Sequence, residues 1–168
     1  MNYATIKSCD IANGPGVRVS LFVSGCTHHC EGCFNEVAWN FDYGEKFTKY
    51  TMMYICNLLD KPWISGLSIL GGEPLESENV LTVSEIVSIV KNKFPNKTIW
   101  VYTGNTYENI CNTAIKYTLL KNIDVLVDGP FIESLKDISL QFRGSCNQRI
   151  IDVPKSLRKN EVVLYQEE

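Results

Sequence analysis

A chain of 168 residues that is 45% hydrophobic and 21% charged has ordinary globular composition, which argues against a disordered or membrane-spanning protein. One domain with a sizeable core is expected at that length, spanning residues 1–168. A net charge of −3 with scattered Lys and Arg gives no electrostatic reason to expect nucleic acid as a partner.

The opening segment, MNYATIKSCD, lacks the apolar core of a signal peptide, and no later run approaches the ~20 apolar residues of a spanning helix. The cytoplasm is therefore the expected compartment, with no membrane association. Seven cysteines, an odd number, then read as reduced thiols or metal ligands and not as a disulfide framework.

Val17, Val19, Leu21 and Val23 share one face of a strand and Phe22 occupies the other, as in a strand with neighbours on both sides. Directly after it come Cys26, Cys30 and Cys33, three cysteines within eight residues. Such a C-x3-C-x2-C loop can fold back to bring three thiolates around one metal centre, because eight residues reach at most roughly 25 Å. Iron-sulfur clusters are normally held by four thiolates, so three at a four-iron cube leave one iron open to chemistry. Zinc is the competing reading, with His28 or His29 as a fourth ligand. Zinc motifs usually come as two separated ligand pairs, however, and there is no second pair. The triplet favours iron and sulfur, with zinc and unliganded thiols left open, and both histidines read as exposed loop residues.

Residues 45–60 predict a helix ending near Pro62. Residues 66–70 form a short apolar strand running into Gly71 and Gly72, which permit close backbone approach to a ligand or make a simple tight turn. A helix over about 79–94 carries Val83, Ile86, Val87 and Val90 on one stripe and is stopped by Pro95. The next strand, 98–103, ends at Gly104. Tyr107, Ile110, Cys111, Ala114 and Ile115 then recur with the spacing of an amphipathic helix. A fourth strand over 123–127 is cut at Asp128-Gly129-Pro130, followed by an irregular loop, a short strand near 149–153 and an edge strand at 162–165.

Strands alternating with helices argue for an α/β protein of parallel units. A complete eight-unit barrel needs about 250 residues, so an open partial (β/α) barrel of about five to six parallel units is expected. Ligands collect at the carboxyl ends of such strands. The cysteine loop, Gly71-Gly72-Glu73-Pro74, Thr103-Gly104 and Asp128-Gly129 all fall there, which makes them one candidate site. Cys56 and Cys111 read as buried small hydrophobes. Cys146, in a polar segment between Arg143 and Arg149, reads as an inert thiol or as one that approaches a partner or the reductant, and Arg143 and Arg149 can either hold a carboxylate or tie the last strand to the sheet.

The cysteine loop, preceded by GPGVR and followed by GGEP after the second strand, resembles that of radical S-adenosylmethionine enzymes of the glycyl-radical activase type. CEGCFN, WVYTG, VDGPF and RGSCNQRIID strengthen the resemblance, which runs from about Gly14 to Asp152. It implies a [4Fe-4S] cluster on Cys26, Cys30 and Cys33, with S-adenosyl-L-methionine chelating the fourth iron and cleaved to a 5'-deoxyadenosyl radical. Gly71 and Gly72 would clasp the methionine amino group, with Glu73 accepting a hydrogen bond there or holding the loop. The backbone at Gly32, Cys33 and Phe34 would contact the adenosyl part, Phe34 being otherwise core packing. Thr103 and Asp128 would meet the ribose or the methionine moiety, or else cap turns.

The chain departs from the pattern at Gly32, where many superfamily members carry an aromatic residue, and at Pro130, where related activases carry a lysine. The implied partners are the large glycyl-radical subunit of anaerobic ribonucleoside-triphosphate reductase and a low-potential flavodoxin-like or ferredoxin-like electron donor. Pyruvate formate-lyase is the alternative target, and a non-enzymatic zinc adaptor the alternative class. Alanine at Cys26, Cys30 or Cys33 is expected to abolish iron uptake, while alanine at Cys56 or Cys111 lowers stability and leaves iron in place. Metal analysis after anaerobic reconstitution checks this, and stoichiometric zinc without iron would contradict it.

Overall fold

The computed structural model describes residues 1–166. Its centre is one seven-stranded mixed sheet in the order β3-β1-β2-β4-β5-β6-β7. The strands are β1 (Asn2–Asp10), β2 (Val17–Val23), β3 (Glu45–Lys46), β4 (Ile64–Gly71), β5 (Thr98–Tyr102), β6 (Val125–Asp128) and β7 (Arg149–Asp152). Only β2, β4, β5 and β6 run parallel; β1 pairs antiparallel with β2 and β3, and β7 antiparallel with β6. The α/β class is as expected, but the parallel part has four strands in place of five or six units.

The helices are α1 (Lys49–Leu59), α2 (Val80–Lys93), α3 (Tyr107–Cys111), α4 (Ala114–Leu120) and α5 (Val153–Lys159). The segment expected to be helical from residue 45 begins instead with β3. Thr48 then starts α1 as a reciprocal cap, its hydroxyl accepting from the Thr51 amide and its own amide donating to the Thr51 hydroxyl. The stripe through 107–115 is two short helices, because the chain turns at Asn112 and Thr113 between them. Helix α5 was not foreseen. It is capped by the Asp152 carboxylate, which accepts from the Lys155 amide at 2.9 Å. The expected edge strand at 162–165 reduces to one bridge, Ile151 to Leu164.

Period-two alternation divides the sheet into two chemically different faces. Val19, Leu21, Leu67, Ile69, Ile99, Val101 and Leu126 pack with Ile55 of α1 and Val83, Ile86 and Val87 of α2 in the main core. The opposite face carries Trp100, Val125 and Val127, with Tyr102, Phe142 and Tyr165 packed against them. Arg18 and Ser68 also belong to it, and both are fully buried.

The Arg18 guanidinium clamps three parallel strands together. Its Nε donates to Ser68 Oγ at 2.8 Å, Nη1 to Thr98 Oγ1 at 2.9 Å, and Nη2 to the carbonyls of Leu67 and Thr98, each at 2.9 Å. It lies 5.6 Å from the Trp100 ring centre. Burial lowers its pKa to about 10, so it is still charged at neutral pH. Truncation would leave four acceptors unpaired around a void. Arg18→Ala is expected to cost about 3 kcal/mol or more, read by urea unfolding of the apoprotein. A loss below about 1 kcal/mol would show that the clamp matters little.

Candidate active site

The carboxyl ends of β2 and β4 are neighbours because the two strands pair in register, Val23 opposite Gly71. Pairing continues past the strand ends: the Gly72 amide donates to the Val23 carbonyl and the Glu73 amide to the Gly25 carbonyl, both at 2.8 Å. The cysteine loop closes back on itself through Gly25 N–H to the Ala38 carbonyl at 2.8 Å and Cys26 N–H to the Trp39 carbonyl at 3.2 Å. Side chains add two further ties. The Asn79 amide donates to the carbonyls of Ser24 and Glu73. Glu76 accepts from the amide and hydroxyl of Thr27.

This latch accounts for the two glycines. A Cβ at Gly72 would stand 2.6 Å from the Gly25 carbonyl oxygen and 2.9 Å from that of Ala38, too close for any real carbon. At Gly71 (φ +114°) it would stand 2.7 Å from the Val23 amide nitrogen and carbonyl oxygen. The backbone that comes closest at Gly72 is thus that of the cysteine loop, and at Gly71 that of β2.

Glu73 is the hub of the strand ends. It is 2% exposed, and each of its two carboxylate oxygens accepts two hydrogen bonds. Oε1 accepts from the Leu75 amide and the Thr103 hydroxyl, both at 2.8 Å. Oε2 accepts from the Gly104 amide at 2.8 Å and His28 Nε2 at 2.9 Å. A carboxylate has about four acceptor sites, and all four are taken. The bond from Glu73 raises the His28 pKa against the opposing effect of burial. His29 stacks on Trp39 with ring centres 4.5 Å apart. Both histidines thus have partners in the fold.

Thr103 is buried, and its hydroxyl also accepts from the amide and side chain of Asn105. Asp128 is 1% exposed and does not line the cavity formed at these strand ends. Its carboxylate accepts the Tyr107 amide at 2.8 Å, at the start of α3, and both Nε and Nη2 of Arg149, which also bridges to Glu108. Arg149 therefore ties β7 to the sheet.

Cys26, Cys30 and Cys33 are half-buried free thiols on the wall of a cavity of about 330 Å³, a size suited to a small ligand. Gly71, Gly72, Thr103 and Gly104 line the same cavity, and Phe131, Leu140 and Phe142 supply an apolar wall. Burial pushes the Cys26 thiol up to about 11. Of the other cysteines, Cys56 is buried as expected, Cys111 is only half-buried, and Cys9 and Cys146 are exposed. Gly32 sits at φ +70°, a conformation that glycine takes without strain, and a Cβ there would displace the Glu133 side chain. Phe34 is 84% exposed at the cavity's edge, so it is not core packing.

The donor set fits an iron-sulfur cluster better than a single ion. Zinc draws its thiolates in to about 2.3 Å, and among the described residues no three His, Cys, Asp or Glu side chains are grouped to hold one ion. A four-iron cube spreads its ligands by its own edges, so three thiols around a cavity suit it. The Tyr102 hydroxyl, buried on the same wall and without a hydrogen-bond partner among the described residues, offers a further polar contact to a bound group. Sequence reasoning missed Tyr102, the bond of His28 to Glu73, Asn79 and Glu76. The last had a signal in the run Glu73-Pro74-Leu75-Glu76, where two carboxylates follow a glycine pair at a strand end.

Gly72→Ala is expected to push the two loops apart, costing about 1–3 kcal/mol and lowering iron retention after reconstitution. Thermal unfolding and iron analysis should move together. Wild-type values for both would mean that the latch tolerates a side chain.

Residues 12–151 match the family described as a 4Fe-4S single cluster domain. The chain is 45% identical over 150 residues to the anaerobic ribonucleoside-triphosphate reductase-activating protein of Enterobacteria phage T4, covering 89% of this chain and 93% of that one. Identity to the protein of the same name in Escherichia coli (strain K12) is 43% over 150 residues, covering 88% and 96%. For that in Vibrio cholerae it is 41% over 152 residues, covering 89% and 97%. The cysteine loop, the glycine latch and the Glu73 hub all fall inside the matched span, and the chain belongs to the family of anaerobic ribonucleoside-triphosphate reductase-activating proteins.

Proposed function

We propose that this protein is a radical S-adenosylmethionine activase that installs a glycyl radical on the large subunit of anaerobic ribonucleoside-triphosphate reductase. The observation that carries this reading is the convergence of three half-buried thiols and a backbone-lined glycine latch on one open cavity. When bound there, a [4Fe-4S] cluster supplies the electron that cleaves S-adenosyl-L-methionine to methionine and a 5'-deoxyadenosyl radical, which takes a hydrogen atom from the partner's glycine.

Cys26, Cys30 and Cys33 hold the cluster and leave one iron without a protein ligand. The backbone of Gly71 and Gly72 would clasp the methionine amino group, and that of Gly32, Cys33 and Phe34 would contact the adenosyl part. Glu73, Thr103 and Asp128 act one step removed: Glu73 holds the loops in register, Thr103 fixes Glu73, and Asp128 anchors α3 and β7. Phe131, Leu140 and Phe142 keep water from the reacting atoms. On this reading the sheet, whose edge strands β3 and β7 do not pair with each other, is an open partial barrel. Its open side admits a polypeptide substrate past the exposed ring of Phe34.

The electron comes from a low-potential flavodoxin-like or ferredoxin-like donor, and an odd number of cysteines read as reduced thiols supports the cytoplasm as the compartment. No helix among the described residues is long and apolar enough to cross a membrane. Anaerobic incubation with reductant, S-adenosyl-L-methionine and the reductase is expected to give a doublet glycyl signal by electron paramagnetic resonance and to switch on deoxynucleotide formation. Activation of pyruvate formate-lyase but not of the reductase would overturn the target and keep the radical chemistry.

A further inference from the structure

Helix α5 and the tail after it lie beyond the span 12–151 that matches the 4Fe-4S single cluster domain. The chain reverses at Asn160, whose φ of +54° is left-handed, and its last described residues return along β7. The Asp152 amide donates to the Val163 carbonyl at 2.9 Å and the Tyr165 amide to the Ile150 carbonyl at 2.8 Å. Buried Ser156 ties the reversal from inside, its hydroxyl accepting the Val163 amide at 2.9 Å and donating to the Asp152 carbonyl at 2.7 Å. Leu164 is left 57% exposed, whereas Tyr165 packs on the face of the sheet that carries Trp100. The two rings are 5.2 Å apart and nearly perpendicular.

Trp100 makes the same kind of edge contact with Phe142, at 5.6 Å. Phe142 lines the cavity, and its φ of +57° is a conformation that a bulky side chain rarely adopts. Such a backbone persists only where its surroundings hold it. Among the described residues Phe142 makes no hydrogen bond, so the packing of its ring is what holds it.

We infer that Tyr165 is a positioning residue for the site: by pinning Trp100 it keeps Phe142 in this strained pose and the apolar wall of the cavity closed. The inference rests on the function proposed above, in which that wall shields the reacting atoms. A wall that opens lets the 5'-deoxyadenosyl radical take a hydrogen atom from the thiol reductant of the buffer, which leaves 5'-deoxyadenosine and a thiyl radical in place of the partner's glycyl radical. Loss of Tyr165 therefore separates cleavage of S-adenosyl-L-methionine from activation of the partner.

Hydrogen exchange of the apoprotein reads the wall directly, since the amides of Gly144, Ser145 and Cys146 are bonded within the same segment. Tyr165→Ala is expected to speed their exchange by about ten-fold or more. Tyr165→Phe, which keeps the ring, and Leu164→Ala, on the exposed side of the same tail, should exchange there at the wild-type rate. In reconstituted enzyme with reductase, Tyr165→Ala is expected to raise the 5'-deoxyadenosine formed per glycyl radical by about two-fold or more, and Tyr165→Phe to keep the wild-type ratio. Wild-type exchange at the three amides would mean that the tail merely seals the β7 edge, and equal acceleration throughout the sheet that it supports the whole fold; either overturns the inference. So would an unchanged ratio despite a loosened wall, or Tyr165→Phe behaving like Tyr165→Ala. A wild type that yields no glycyl radical overturns the proposed function instead, and the exchange pattern still decides whether Tyr165 holds the wall.

Discussion

The functional end of this fold is organised around one buried carboxylate. An ionised carboxylate out of water is costly unless its acceptor sites are filled, and Glu73 meets that condition with four bonds drawn from three stretches of chain. His28 comes from the cysteine loop, Leu75 from the segment after β4, and Thr103 and Gly104 from the end of β5. Charge-assisted bonds in a dry setting are stronger than neutral ones. The positions of the three strand ends are therefore coupled through a single residue, and the cysteine loop inherits its placement from a carboxylate that lies outside it.

The opposite wall of the cavity is positioned from beneath. Arg18 lies against Trp100, and Trp100 meets Phe142 edge to face at 5.6 Å and Tyr165 at 5.2 Å. Phe142 directly precedes Arg143. A continuous stack thus runs from a clamp at the start of the parallel strands to the loop that roofs the cavity, and it sets the height of that roof. The two walls differ in kind: one is backbone and carboxylate, with little freedom to adjust, and the other is aromatic packing on a buried cation.

The four parallel strands and the stripe of α2 were readable because each is apolar with a clear period. Strand β1 was not, since NYATIKSCD is mostly polar and half-exposed, and only its pairing between β2 and β3 makes it a strand. The break between α3 and α4 escaped notice because the apolar spacing runs straight across Asn112 and Thr113. The cysteine triplet was legible from spacing alone. The role of Glu73 was less so, because saturation of its carboxylate depends on three donors that are 30 to 45 residues away in sequence and carry no pattern of their own. Gly71 and Gly72 were flagged for the right property, a missing Cβ, but what presses against them is the end of β2 at Gly71 and the cysteine loop at Gly72. Arg18 stood inside a recognised motif, yet nothing in the run GPGVR reveals that its guanidinium reaches two strands away.

The register between β2 and β4 bears on how the chain can change over time. Seven rungs, Val17 to Val23, lie against β4 and end with Val23 at Gly71, and the latch begins on the very next residues. A one-residue deletion within β2 would draw the cysteine loop back by about 3.3 Å and turn its alternate side chains to the other face. The Gly25 carbonyl would then miss the Glu73 amide. Length changes in the two strands can be tolerated only together, whereas the part of the connection beyond Trp39, through β3 and α1, takes no part in the latch and can grow or shrink. Insertions in relatives should therefore gather in that connection and spare the two strands.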